Sequence, residues 1–223
     1  VRVGINTFLD GYVKEDNVKF RDEPINFFTS LLEKGVSPEI LISFENLVKK
    51  FEGFKLEIKK GEVRKKEVLV ILGANALGKT TFAKILSGEI KPEEGRVDSS
   101  VKISYKPQYI QIDFKDTVKE FLSSVADIEA ENYKAEIIRP LELERLLERK
   151  VNELSGGEIQ RVAIAYCLSQ SADLYLLDEP SAFLDVEQRL AVAKLINKIV
   201  EVQEKSSIVI DHDLLFLSQV GSR

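Results

Sequence analysis

A run rich in Val, Ile and Leu at residues 67–72 leads directly into Gly73-Ala74-Asn75-Ala76-Leu77-Gly78-Lys79-Thr80. That junction constrains the fold more than any other feature of the chain. A nearly continuous stretch of Val, Leu and Ile suits a strand covered on both faces. The glycines suit a tight turn, and residues 79–86 read as a helix. Strand, glycine loop and helix in this order form a phosphate cradle. Backbone N–H groups converge there, and the helix presents its positive end. Gly73 and Gly78 permit close approach of the backbone. Lys79 brings a point charge to the β and γ phosphates of a nucleoside triphosphate, and the Thr80 hydroxyl is placed to ligate Mg²⁺. Asn75, Ala76, Leu77 and Thr81 complete the candidate loop and the start of the helix.

The remainder alternates strands and helices, which predicts an α/β domain with a parallel-rich sheet covered on both faces. Strands are expected at 40–44, 54–58, 101–105, 174–178 and 207–210. Helices are expected at 156–169 and 186–203. In the second of these, Val192, Leu195, Ile196 and Ile199 recur at i, i+3, i+4 and i+7. Residues 116–150 alternate helical patches with polar breaks, which suggests a helical subdomain over about 112–168. Residues 1–38 are cut into short pieces by Gly11, Asp16-Asn17, Asp22-Glu23-Pro24 and Gly35, and read as a hinge-like segment. The domain proper then spans 39–223. The basic residues Lys59, Lys60, Arg64, Lys65 and Lys66 are expected at a solvated hairpin tip between two strands.

A net charge of −5 argues against a broadly basic nucleic-acid coat. Cys167 is the only cysteine, so neither an internal disulfide nor a cysteine-held zinc or iron–sulfur centre can form within the chain. It is expected as a small buried residue on a helix, consistent with a reducing cytosol. No apolar run approaches the ~20 residues needed to span a bilayer. The chain starts at Val1 and has no methionine, so it reads as a piece of a longer polypeptide.

Four positions downstream of the loop suit nucleotide chemistry. Asp178 ends an apolar strand, where a carboxylate can hold Mg²⁺ through water. Glu179 follows it, points to the other side of the strand end, and is the candidate to polarise an attacking water. His212, the only histidine, follows another strand on the side where such sheets bind ligands, placed to sense a γ-phosphate. Gln108 lies just past a strand, where its amide can reach Mg²⁺ and couple the helical subdomain to the nucleotide. A different element is Leu154-Ser155-Gly156-Gly157-Glu158. Ser155, Gly156 and Gly157 open a helix and so offer a second anion-binding N-terminus. It makes best sense as a lid on a nucleotide held by another, similar domain, with residues 181–185 along the same junction.

Together the glycine loop, Gln108, the 154–158 word, Asp178-Glu179, Asp185 and His212 resemble the nucleotide-binding domain of ABC-type ATPases over about residues 40–219. The resemblance implies a P-loop NTPase fold with a mixed sheet core and a helical subdomain, with ATP and Mg²⁺ as ligands. It implies that two such domains face head to tail, so that Glu158 and Asp185 border a composite site. It also implies an aromatic residue stacked on adenine. Phe51 and Phe54 both qualify, and Phe51 is preferred. The stretch from Tyr175 to Arg189, with Asn75-Ala76 and the segment from Gly4 to Tyr12, is more specifically similar to the second ATPase domain of the class E branch, the ribosome-recycling RNase L inhibitor type. That likeness implies a cytoplasmic protein acting on the ribosomal small subunit and a bound release factor. It also implies a chain that stops short of the family's last strands and second hinge. An ATPase subunit of a membrane transporter is the main alternative. A module in which nucleotide serves chiefly as a dimerisation ligand is the other.

Overall fold

The structure is a computed structural model that describes residues 12–13, 18–19, 39–73, 77–98, 100–110 and 116–220. Most of the expected hinge-like segment, and with it the resemblance carried by residues 4–11, lies outside the described residues. So do Asn75 and Ala76 of the glycine loop.

Strands β1 (Tyr12–Val13) and β2 (Val18–Lys19) form a small antiparallel pair. Strands β3 (Ile40–Phe51) and β4 (Phe54–Arg64) form a long hairpin, and β6 (Glu94–Asp98) pairs antiparallel with β3. This hairpin corrects two expectations. Its strands are about twice the expected length, and Lys59, Lys60 and Arg64 lie within β4 rather than at a tip. The reason is that β4 is only partly covered, so Lys59 and Lys60, on opposite faces, are both exposed and Arg64 is partly so. Only Lys65 and Lys66 of the basic run occupy the turn.

The second sheet is wholly parallel, with order β5-β9-β8-β7. It comprises β5 (Val68–Leu72), β7 (Ile103–Lys106), β8 (Leu174–Asp178) and β9 (Ser206–Asp211). The two central strands, β8 and β9, are buried along their whole length. Alternate residues of β8 serve two cores. Leu174 and Leu176 face one with Ile42, Phe44, Phe82 and Leu86; Tyr175 and Leu177 face the other with Val192, Leu195 and Ile196. β5 is only partly buried because it pairs on one side alone, with β9.

Helix α1 (Lys79–Leu86) follows β5 and packs into the first core. The stretch 116–153 contains α2 (Val118–Ser123), α3 (Glu131–Tyr133) running into a π-helical turn (Lys134–Ile138), and two short 3₁₀ turns. Its buried side chains join those of α4 (Gly156–Ser169), α5 (Val186–Val202) and α6 (Leu214–Val220) in the second core. Cys167 is buried there, as expected. Burial pushes its thiol up to about 12. Among the described residues no helix is long and apolar enough to cross a membrane.

Candidate functional site

All four parallel strands run the same way, so their carboxyl ends lie along one edge of the sheet. Gly73 follows β5, Gln108 lies just past β7, Asp178 ends β8 and His212 follows β9. That edge is where open parallel sheets place their ligands.

At the β5 end, Gly78 caps α1 with φ 89, a left-handed conformation in which only glycine is unstrained. A side chain there would also collide, since an added Cβ would lie 2.9 Å from Leu56 Cδ1 and 3.0 Å from Phe54 Cζ. The first intrahelical bond runs from Phe82 N–H to Gly78 O at 2.8 Å. The preceding N–H groups of the helix end therefore lack intrahelical acceptors and are available to an anion. Lys79 Nζ donates to Gly73 O at 2.7 Å, closing the two ends of the loop on each other. Leu77 is exposed and Thr81 partly buried in the first turn.

Thr80 Oγ1 approaches Gln108 Oε1 at 3.4 Å, bringing together two of the three expected Mg²⁺ ligands. The third, Asp178, is 1% exposed, and its Oδ2 has no hydrogen-bond partner. The Tyr105 hydroxyl is likewise buried outside hydrogen-bond geometry, though close enough to Asp178 to feel its charge. Burial pushes the Asp178 carboxyl above its usual range, although the Thr80 hydroxyl and the ammonium groups of Lys106 and Lys79 pull the other way. An ionised, buried oxygen with no donor is costly in a folded protein. A divalent cation at this point would satisfy it, so the oxygen-only donor set of Thr80, Gln108 and Asp178 fits Mg²⁺.

Glu179 lies beside His212. Its Oε1 lies 3.8 Å from Nδ1 of His212, whose ring is 58% exposed and so open to a ligand. His212 Nδ1 is also 3.7 Å from Asp211 Oδ1. Asp211 was not singled out from the sequence. It is fully buried and accepts from the Ser181 N–H and hydroxyl and from the N–H groups of His212 and Asp213. One carboxylate thus ties the segment after Glu179 to the loop that carries His212. Only its place between an apolar strand and the lone histidine could have signalled it.

The 154–158 word has separate surroundings. Ser155 N–H and hydroxyl both donate to Glu158 Oε2, at 2.8 and 2.7 Å. Arg149 bonds Glu158 Oε1 at 2.6 Å and Glu153 O at 2.8 Å. These contacts, led by the Ser155 N–H, hold the Glu158 carboxyl below its usual range. Glu158 therefore shapes the helix start rather than facing outward for a ligand. Gly157 is required by close approach, because a Cβ would lie 2.8 Å from Phe183 O. Gly156 sits beneath the Phe183 ring, which is 79% exposed. Asp185 caps α5, accepting from Gln188 N–H at 2.9 Å. Phe51 is 45% exposed and stacks on Phe54 at 6.3 Å between centroids. Phe54 is pressed against Gly78, so Phe51 is the more exposed of the two rings, with Lys49 Nζ over it at 5.9 Å from the centroid.

The profile of the ABC transporter family matches residues 56–182. An uncharacterised ABC transporter ATP-binding protein of Methanocaldococcus jannaschii is 53% identical over 100% of this chain and 38% of its own length. ABC transporter E family member 3 of Arabidopsis thaliana is 39% identical over 72% of this chain and 93% of its own length. The structure is similar to that of an archaeal ribosome recycling factor, aABCE1, solved in complex with the archaeal ribosomal stalk protein aP1. The TM-score is 0.80 and the identity 47%, over 98% of this chain and 43% of that one. The chain spans 37–38% of the length of the first curated relatives it matches. The chain belongs to the ABC transporter family, as an ATPase domain of its class E branch.

Proposed function

We propose that this chain is one half of a composite Mg-ATP hydrolysing machine that splits ribosomal subunits. The observation that carries the chemistry is the meeting of Lys79, Thr80, Gln108, Asp178, Glu179 and His212 along one sheet edge. The likeness to a ribosome recycling factor over 98% of the chain supports the ribosome as the object of the work.

In this reading the α1 N–H groups and Lys79 hold the β and γ phosphates, and the exposed ring of Phe51 stacks on adenine. Thr80, Gln108 and Asp178 would hold Mg²⁺, which when bound would neutralise charge developing on the β and γ phosphates. Glu179 orients the attacking water and accepts its proton as the oxygen bonds to the γ-phosphorus. The bond from that phosphorus to the β–γ bridging oxygen breaks, and ADP and phosphate leave. His212 faces the γ-phosphate and steadies the same water. The start of α4, with Ser155, Gly156 and Gly157, addresses the nucleotide of a second domain of the same type. That second domain stands head to tail with this one, with Asp185 and Phe183 along the junction. Ser155 must then share its hydroxyl between Glu158 and the partner's phosphate. Closure of the pair on ATP acts on the ribosomal small subunit and its bound release factor, in the cytoplasm.

Sedimentation of the full-length protein with ribosomal subunits tests this reading. Co-migration with the small subunit is expected with a non-hydrolysable ATP analogue and not without it. Recovery of the protein in membranes, with no co-migration, would overturn the ribosomal reading in favour of transport.

A further inference from the structure

Glu179 adopts φ 49, a backbone conformation that residues other than glycine rarely hold. Something must over-determine it, and four hydrogen bonds do. Its N–H donates to Ile210 O at 2.7 Å. Its carbonyl accepts from Gln160 Nε2 at 2.7 Å, from Lys106 Nζ at 3.3 Å and, within the turn that follows, from the Ala182 N–H at 3.3 Å. The same ammonium donates to Asp178 O at 2.8 Å.

Lys106 and Gln160 are each 1% exposed. An ammonium group is costly to bury, and among the described residues this one donates to main-chain carbonyls rather than to a carboxylate. Packing alone would be served by methionine or leucine. The charge is instead spent on the carbonyls of the two residues whose carboxylates stand at the nucleotide edge. The origins of the two donors matter as much. Lys106 ends β7, two residues before Gln108. Gln160 lies on α4, the helix opened by Ser155, Gly156 and Gly157.

We propose that Lys106 and Gln160 act together as positioning residues for Glu179. They clamp its carbonyl so that its carboxylate is aimed at the water beside His212. Through these bonds the peptide of the glutamate is fastened to the strand that leads to Gln108 and to the helix that meets the partner domain. Displacement of either element releases the clamp and swings the carboxylate out of line. The inference rests on the reading of Glu179 as the group that orients water.

The test uses the full-length protein with Lys106→Met, Gln160→Leu and Glu179→Gln, singly and combined. The dissociation constant of a fluorescent ATP analogue and the rate of hydrolysis are both measured. Methionine replaces the lysine stem with similar volume, so the fold is expected to survive. Lys106→Met and Gln160→Leu are each expected to lower kcat by about 10- to 100-fold, the scale of a small misplacement of a reacting group. Analogue affinity should stay within about threefold. In a Glu179→Gln background neither should cost anything further, because the group they position is gone. An unchanged kcat overturns the clamp, as does affinity falling in step with kcat or a loss that adds fully to that of Glu179→Gln. If Lys106→Met does not fold, Gln160→Leu alone decides. If Glu179→Gln itself leaves turnover unchanged, the hydrolytic reading fails instead, and the two failures are distinguishable.

Discussion

Asp178→Asn should make the nucleotide-free domain more stable while removing its response to Mg²⁺. The Asp178 carboxyl sits above its usual range even with Lys106 and Lys79 nearby. Folding therefore penalises the ionised form relative to water, and asparagine has the shape of the carboxyl without its charge. The wild-type oxygen Oδ2 is buried without a donor. An unsatisfied buried acceptor costs about 1–3 kcal/mol, and more when charged. The asparagine amide can exchange a hydrogen bond with the Tyr105 hydroxyl, the other unpartnered group at this spot. A gain of about 1–3 kcal/mol raises the melting temperature of a domain this size by about 2–12 °C. The assay is thermal unfolding at pH 7 in EDTA, then with ATP, then with ATP and Mg²⁺. Wild type should gain stability at both additions. Asp178→Asn should start higher and gain nothing from Mg²⁺. A variant that melts below wild type in EDTA, or that keeps the full Mg²⁺ increment, would refute the argument.

Other expected outcomes follow from single contacts. Phe51→Ala should weaken ATP binding by about 1–3 kcal/mol, the worth of one stacked base, measured by titration with a fluorescent analogue. Its melting temperature should barely change, since the ring is half exposed, whereas Phe54→Ala should lower both. Gly78→Ala should cost about 1–3 kcal/mol of stability from its left-handed backbone, together with ATP binding, read by calorimetry. Burial lowers the Lys106 ammonium to about 8, against the pull of Asp178, Cys167, Asp211 and Glu179. The unfolded chain holds that proton up to about 10.5, so it binds more protons than the folded one between these values. Wild type should therefore gain stability relative to Lys106→Met as pH rises from about 8 to 10.5, by up to about 3 kcal/mol, with no relative change below that window. Cys167 should resist Ellman's reagent at pH 8 in the folded protein and react in urea.

Elements set by local pattern were legible in the sequence. β8 shows apolar residues on both faces, and α1 and α4 each begin at a glycine-rich word, so their bounds could be read directly. The antiparallel sheet was harder. Lys49, Lys50, Lys59 and Lys60 lie on open strand positions and look like loop residues until the hairpin partner is known. β6 reads Glu-Gly-Arg-Val-Asp and is a strand because β3 pairs with it, not by any propensity of its own. The candidate site divides in the same way. Residues that meet the ligand belong to short words and could be named. Lys106, Gln160 and Asp211 act on main-chain atoms far away in sequence, and nothing in composition sets a buried lysine apart from a solvated one. Asp185 and Glu158 could be named, but their capping bonds became visible only in three dimensions.

The most direct measurement is hydrolysis of Mg-ATP by the full-length protein with Glu179 intact and with Glu179→Gln, each paired with a binding titration. The account predicts that Glu179→Gln slows turnover by about 10²-fold or more while ATP still binds. Turnover unchanged by the substitution would remove Glu179 from the chemistry and contradict the account.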